Sequence, residues 1–424
     1  MHWMPRLTCL FALTLVPLAL ACSDDGAPGD DSASETTGDG DGDASGDGDG
    51  DTSGDGDGDT PGDGDGDDGP PGPPSAEGCD GATFYELPED PSARGPWAVG
   101  VTTTVLEGVT TEIWYPAAWN SEAGVEATSY DIRYALPESE QGKISDEQNP
   151  IQDCDCYRDL PIDAEHGPYP VVVFVHGTAS WRTQSLTQMT HWASRGFIVV
   201  SQDHAGLWLR DSLGIFCGLP MAPQDLGGDT DKALAALAAP SGELEFLAGH
   251  IDTSRVAISG HSAGGSAAAT LTNRPGIRVS IPMASGQAVQ DTSVLESSLL
   301  LGGLADGVVA YSGTQSGYAS SPTPKRLVGI ENAGHLAFSD ICELTNDQGQ
   351  DILEVALETG VCGAEFAGFL FDCNPDFIDA ATAIELINYS SSAVLEEILM
   401  CREGPDLFAD FAQRTGVAEY QQEL

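Results

Sequence analysis

Basic residues are scarce in this 424-residue chain. Its 16 Lys and Arg face 67 Asp and Glu, giving a formal net charge of −51. So acidic a chain repels phosphate backbones and anionic lipid, which argues against nucleic acid or an anionic membrane surface as a partner. After residue 21 no uninterrupted apolar run reaches the ~18 residues expected of a spanning helix. There is no CxxC pair, and the Cys154-x-Cys156 spacing is too tight for a usual zinc knuckle, so no metal is expected. Residues 23–78 contain no Lys, no Arg and no aromatic side chain.

That last segment is a polymer of another kind. Four near-identical octads, "GDGDGDAS GDGDGDTS GDGDGDTP GDGDGDDG", fill 38–69. With almost nothing to bury, the stretch cannot repay its ordering entropy and is expected to be a disordered tether, with a reach of roughly 40 Å or more. D-x-D-x-D resembles the start of an EF-hand loop, but the later bidentate Glu and the flanking helices are missing. Ahead of the tether, Arg6 and the apolar run 7–21 read as a secretory signal peptide. "LALAC" ends at Cys22 and resembles a bacterial lipobox, although Ala19 stands where leucine is commoner. Cys22 is therefore expected to be lipidated, making the chain an exported lipoprotein of the cell envelope or surface, on the outer membrane. The alternative is an ordinary cleaved signal. Eight of the ten cysteines lie beyond Cys22, an even number that reads as disulfides in an exported chain.

Residues 79–424 read as one α/β domain. Apolar, β-branched runs at 98–106, 110–116, 170–177, 196–204, 255–260, 277–285, 298–306 and 325–331 are each bounded by turn residues. Continuous rather than alternating apolar character predicts strands buried on both faces of a mostly parallel sheet. Helical patterns at 183–196, 231–239 and 262–273 fall between them, which predicts a doubly wound sheet flanked by helices.

The run 255–260 leads straight into Gly260-His261-Ser262-Ala263-Gly264. A G-x-S-x-G between a strand and a helix reads as a nucleophile elbow. Small flanking residues let a strained serine stand at the sheet edge, beside the helix N-terminus. Read structurally instead, Ser262 is a helix cap among small packing residues. A serine needs a base, and in this arrangement the partners follow in the order Ser, acid, His. Of the eight histidines only His335 follows Ser262. Four acids lie between them: Asp291, Glu296, Asp306 and Glu331. Asp306, at the end of the run 298–306, is the preferred acid, and Asp291 is the runner-up. The oxyanion needs two N–H donors. Ala263 supplies one, and Thr178 after the run 170–177 is assigned the other, with Ala179 as the near miss. His176 is read as support for that loop, and Asp203-His204 as a brace at the sheet edge. Trp181, Trp208 and Phe338 are candidates to line the acyl pocket.

These motifs carry a resemblance. "GPWAVGV…TEIWYPA", "FVHGTASWRTQ", "ASRGFIVVSQDHAG", "RVAISGHSAGG" and "NAGHLAF" resemble, in order, the α/β-hydrolase superfamily. The group concerned includes the type II platelet-activating-factor acetylhydrolases, dienelactone-hydrolase-like proteins, chlorophyllases and bacterial polyester hydrolases. The resemblance spans 95–335, with a closing helix near 376–399. It implies an α/β-hydrolase fold, a triad of Ser262, Asp306 and His335, an oxyanion hole of Thr178 and Ala263, and no cofactor. Dienelactone hydrolases proper use cysteine where this chain has Ser262. Residues 118–168 and 339–375 depart from the pattern as cysteine-bearing insertions, and the second is placed to fold over the cleft as a lid. The expected function is that of an exported serine hydrolase cleaving short-acyl or acetylhydrolase-like carboxylic esters, small or polymeric. Its membrane contact would be through the N-terminal anchor alone. The rival is an inactive surface-binding lipoprotein on a hydrolase fold. A peptidase or acyltransferase ranks lower, because no S1-like determinant is visible.

Overall fold

A computed structural model describes residues 72–424. The signal segment 1–21, Cys22 and the octads lie outside the described residues.

The strands in chain order are β1 (Ser75–Glu77), β2 (Thr83–Tyr85), β3 (Ala98–Leu106), β4 (Val109–Ala117), β5 (Ser129–Asp131), β6 (Ile151–Asp153) and β7 (Tyr157–Arg158). They continue as β8 (Tyr169–Val175), β9 (Ile198–Gln202), β10 (Ile251–His261), β11 (Ile277–Met283), β12 (Ser297–Gly303), β13 (Lys325–Ile330) and β14 (Val417–Glu423). Ten of them form one sheet in the order β14-β13-β12-β11-β10-β8-β9-β4-β3-β7. The six from β13 to β9 are mutually parallel. Every residue of β8, β12 and β13 is buried, as the continuous apolar runs predict for strands covered on both faces. β3 and β4 make an antiparallel hairpin through Glu107 and Gly108, both at positive φ, the conformation that lets a two-residue turn follow the strand twist.

The helices are α1 (Glu138–Gln141), α2 (Leu186–Ser194), α3 (Leu209–Phe216), α4 (Leu226–Ala238), α5 (Ala263–Thr270), α6 (Tyr311–Ser320), α7 (Ile352–Glu358) and α8 (Ala380–Leu399). α5 packs on β10 and β11, α4 on β10 and β3, and α8 on α2 and β11. The chain leaves β8 toward β9 on one side and returns through β10 toward β13 on the other. The carboxyl ends of β8 and β10 therefore meet at a switch point, where open α/β sheets hold their ligands.

Several expectations need correction. Residues 75–77, assigned to the tether, pair antiparallel with β2. Backbone pairing needs no apolar side chain, and Ser75 Oγ also reaches His166 Nε2 at 2.9 Å. The insertion 118–168 is not only a loop, because β7 adds to the sheet edge parallel to β3. The closing helix starts at Ala380, where the Asp379 side chain caps it through the Thr382 amide. β14 and helices α3, α6 and α7 were not anticipated. The eight cysteines pair as Cys79–Cys401, Cys154–Cys156, Cys217–Cys362 and Cys342–Cys373.

Candidate active site

Ser262 follows β10 directly and caps α5, with φ 58° and ψ −118°. A non-glycine residue pays for such a backbone in strain, and the neighbours explain how it is held. A Cβ on Gly264 would lie 2.0 Å from the Val175 carbonyl oxygen, and one on Gly260 would lie 2.4 Å from the Gly264 carbonyl oxygen. The elbow thus sits against the end of β8 with no room for a side chain. The Ser262 amide donates to the Met283 carbonyl at 2.9 Å, tying the turn to β11.

His335 opens a short 3-10 turn after β13 and is buried. Asp306 lies three residues past β12, also buried. The His335 Nδ1 to Asp306 Oδ2 distance is 2.8 Å. The other carboxylate oxygen of Asp306 accepts from the Val308 and Val309 amides at 2.8 and 2.7 Å, which fixes its plane. With the Nδ1 proton turned to Asp306, Nε2 of His335 is left as the basic nitrogen. Ser262, His335 and the Gly177–Thr178–Ala179 loop line one cavity of about 400 Å³. Asp291 is exposed in the loop before β12 and does not reach His335 among the described residues.

The Gly177–Ala179 loop separates its two candidate donors. The Ala179 amide donates to the Leu207 carbonyl at 2.8 Å, whereas those of Thr178 and Ala263 have no protein acceptor among the described residues. Ala263 is the first residue of α5, so its N–H adds to the positive end of that helix.

A buried relay that the sequence analysis missed joins this loop to the histidine loop. The Gly177 amide donates to Gln184 Oε1 at 2.7 Å. Gln184 Nε2 donates to His261 Nδ1 at 3.1 Å, and His261 Nε2 donates to the His335 carbonyl at 2.9 Å. Burial, then the neighbouring His335, push the His261 pKa down to about 3, so the ring is neutral and one nitrogen accepts while the other donates. His176 is likewise buried and pushed down to about 3. Its Nδ1 donates to the Gly177 carbonyl at 2.8 Å, and its Nε2 accepts from the His204 amide at 3.1 Å. Asp203 accepts from the Arg182 amide and side chain. Of the three aromatic candidates, Trp181 lines the cavity, Trp208 packs in a small cluster beside it, and Phe338 is core beneath His261.

Asp340 anchors the segment beyond His335. Its amide donates to the Gln184 carbonyl at 2.8 Å, and its carboxyl accepts from the Thr187 amide, at the start of α2, at 2.8 Å. Burial raises its pKa from 3.8 to about 6. A carboxyl raised in the fold stabilises most below its unfolded pKa, and that contribution is lost as pH rises through the folded value. Asp340→Asn should therefore gain on the wild type between pH 4 and pH 7, by at most about 3 kcal/mol. Melting curves of both proteins across that range check it, and parallel curves would refute it.

Residues 90–207 match the sequence profile of a family described as platelet-activating factor acetylhydrolase, isoform II. That segment carries β3, β4, β8, β9 and the Gly177–Ala179 loop, and ends ahead of Ser262. Among solved structures, a ferulic acid esterase from Streptomyces cinnamoneus matches with a TM-score of 0.51 at 18% identity, over 75% of this chain and 94% of its own. A search of curated proteins returns no match. The chain has the α/β-hydrolase fold.

Proposed function

We propose that the protein is an exported serine hydrolase of carboxylic esters. The observation that carries this reading is the Asp306–His335 pair at 2.8 Å, opening on the same cavity as a serine held at φ 58°. The family matched by residues 90–207 is named for acetyl-ester hydrolysis, and the structural neighbour is named as an esterase.

In this reading Ser262 Oγ attacks the ester carbonyl carbon while His335 Nε2 takes its proton. The carbonyl oxygen becomes an oxyanion facing the Thr178 and Ala263 amides, two fixed donors that need no reorganisation. Asp306 stabilises the imidazolium. Collapse breaks the bond to the alcohol, which leaves with the proton from His335. Water then gives a proton to His335 and adds to the acyl-enzyme. Collapse then breaks the bond to Ser262 Oγ, which takes the proton back from His335 as the acid leaves.

The decisive experiment is labelling by a fluorophosphonate, mapped by peptide mass spectrometry. The expected adduct is on Ser262 and absent from Ser262→Ala. A folded wild type that stays unlabelled would instead favour the inactive binding lipoprotein. Export and anchoring rest on the run 7–21 and on Cys22, with the stretch between Cys22 and β1 as a spacer. Cys22→Ser is expected to move the protein from the membrane fraction to the soluble one. Retention on membranes would remove the anchor.

A further inference from the structure

The cavity at Ser262 is far larger than an acetyl group requires, and much of its wall comes from the two insertions and from α3. Leu136 and Ile144 come from the first insertion, Leu213 from α3, and Val355, Ala364 and Leu370 from the second insertion. The volume, about 400 Å³, lies in the range that encloses a drug-sized ligand. Apart from the histidines, the one ionisable side chain on the wall is Arg133. It is already paired with Asp131 at 2.5 Å and Asp146 at 2.8 Å. Among the described residues, no free charge is therefore left on the wall to recognise a headgroup, phosphate or carboxylate. At the mouth, Phe216 and Phe366 stack with ring centroids 4.7 Å apart, next to the Cys217–Cys362 disulfide. Phe216, Phe366 and Met221 are 54%, 51% and 74% exposed, which extends the apolar surface outward. The second disulfide, Cys342–Cys373, closes the base of the same segment.

From this lining we infer that the preferred substrate is an uncharged ester bearing an apolar group of about eight carbons or more. The two insertions and α3, with the second insertion tied to the end of α3 by Cys217–Cys362, set that preference. This rests on the serine-hydrolase reading and narrows it, since an ester with short chains on both sides would leave most of the cavity unfilled. Each methylene placed against such a wall gains binding free energy in proportion to the area it removes from water. Because the cavity opens at the serine, part of that gain is available to the transition state.

The test uses the purified full-length protein and two series, p-nitrophenyl esters from acetyl to palmitoyl and alkyl acetates from methyl to dodecyl. One series reads the acyl side of the ester and the other the alcohol side. In at least one of them kcat/KM should rise with length to eight carbons or beyond, by at least about tenfold over the two-carbon member. Ala356→Trp and Ser212→Phe fill the cavity from facing helices, and both positions are half-buried. Either should lower the long-chain value about tenfold or more and leave p-nitrophenyl acetate within about twofold. Two filling sites are used so that a misfolded variant, seen by its melting curve, does not decide the outcome.

If both series peak at two to four carbons, or if the filling variants depress every length alike, the preference is refuted. Ser262-dependent turnover of the acetate would then leave the hydrolase reading standing. If no ester is turned over and the fluorophosphonate fails to label Ser262, both readings fall together.

Discussion

Ser262→Ala and His335→Ala are each expected to lower kcat on a p-nitrophenyl ester by about 10⁶, and Asp306→Asn by about 10⁴. The size of the first pair follows from the mechanism proposed above. Without the hydroxyl there is no acyl-enzyme, and without the imidazole nothing takes the hydroxyl proton. Any remaining rate would come from binding and from the Thr178 and Ala263 amides. Asp306→Asn is less severe because it keeps the geometry while reversing a hydrogen bond. One carboxylate oxygen of Asp306 is held by the Val308 and Val309 amides, which leaves the other for His335 Nδ1. An amide that turned its NH₂ toward Nδ1 would favour the wrong tautomer and leave Nε2 protonated, unable to act as base. Asp291→Asn is the control and should stay within about twofold, since Asp291 is exposed and makes no hydrogen bond to His335 among the described residues. The measurement is kcat with active-site titration, alongside melting curves. A wild-type rate in Asp306→Asn, or a large loss in Asp291→Asn, would overturn the assignment of the acid.

Much of the fold was legible because burial on both faces leaves a mark that does not depend on distant residues. The runs around Val172, Val199, Ile258, Leu300 and Val328 read as parallel strands before anything was known of their neighbours, and each lies in the central sheet. β14 was not legible. Val417–Glu423 carries Glu, Gln and Tyr at an antiparallel edge, and its pairing with β13 supplies backbone bonds that any sequence can make. Among the site residues, Ser262 carried its own signal in the flanking glycines, and His335 stood out by chain order. Gln184 and His261 carried none. A glutamine seven residues past Gly177 and a histidine next to the serine mean nothing until folding brings Gly177, Gln184, His261 and His335 into one line of hydrogen bonds. Cavity walls depend likewise on segments from three parts of the chain meeting, which is why the motifs alone leave the size of the ester open.

The largest effect on stability is expected at Arg182, within the loop that runs from Thr178 to α2. Its Nε pairs with Glu112 at 3.0 Å and its Nη1 with Asp203 at 2.5 Å. Glu112 is fully buried on β4 and also meets Arg158 at 2.7 Å and the Tyr130 hydroxyl at 2.9 Å. The Tyr134 ring lies 4.1 Å from the guanidinium carbon, and Asp203 accepts the Arg182 amide at 2.9 Å as well. Burial already pushes the Asp203 carboxyl up, with Arg182 pulling the other way. Taking the guanidinium away leaves Asp203 without its cation, and Glu112 with Arg158 alone. Arg182→Met is therefore expected to cost about 3–5 kcal/mol, because an uncompensated buried charge is worse than no pair at all. Arg182→Lys should recover only part of this, since a single ammonium cannot serve two carboxylates in the forked geometry. The triple variant Arg182→Met, Glu112→Gln, Asp203→Asn should recover more than Lys does, because it removes the buried charges instead of exposing them. Urea unfolding with the disulfides intact measures all three. A loss below about 1 kcal/mol in Arg182→Met would mean that water reaches the carboxylates. The same substitution should also lower kcat in protein that remains folded, because Arg182 lies between Trp181 on the cavity wall and Gln184 in the relay.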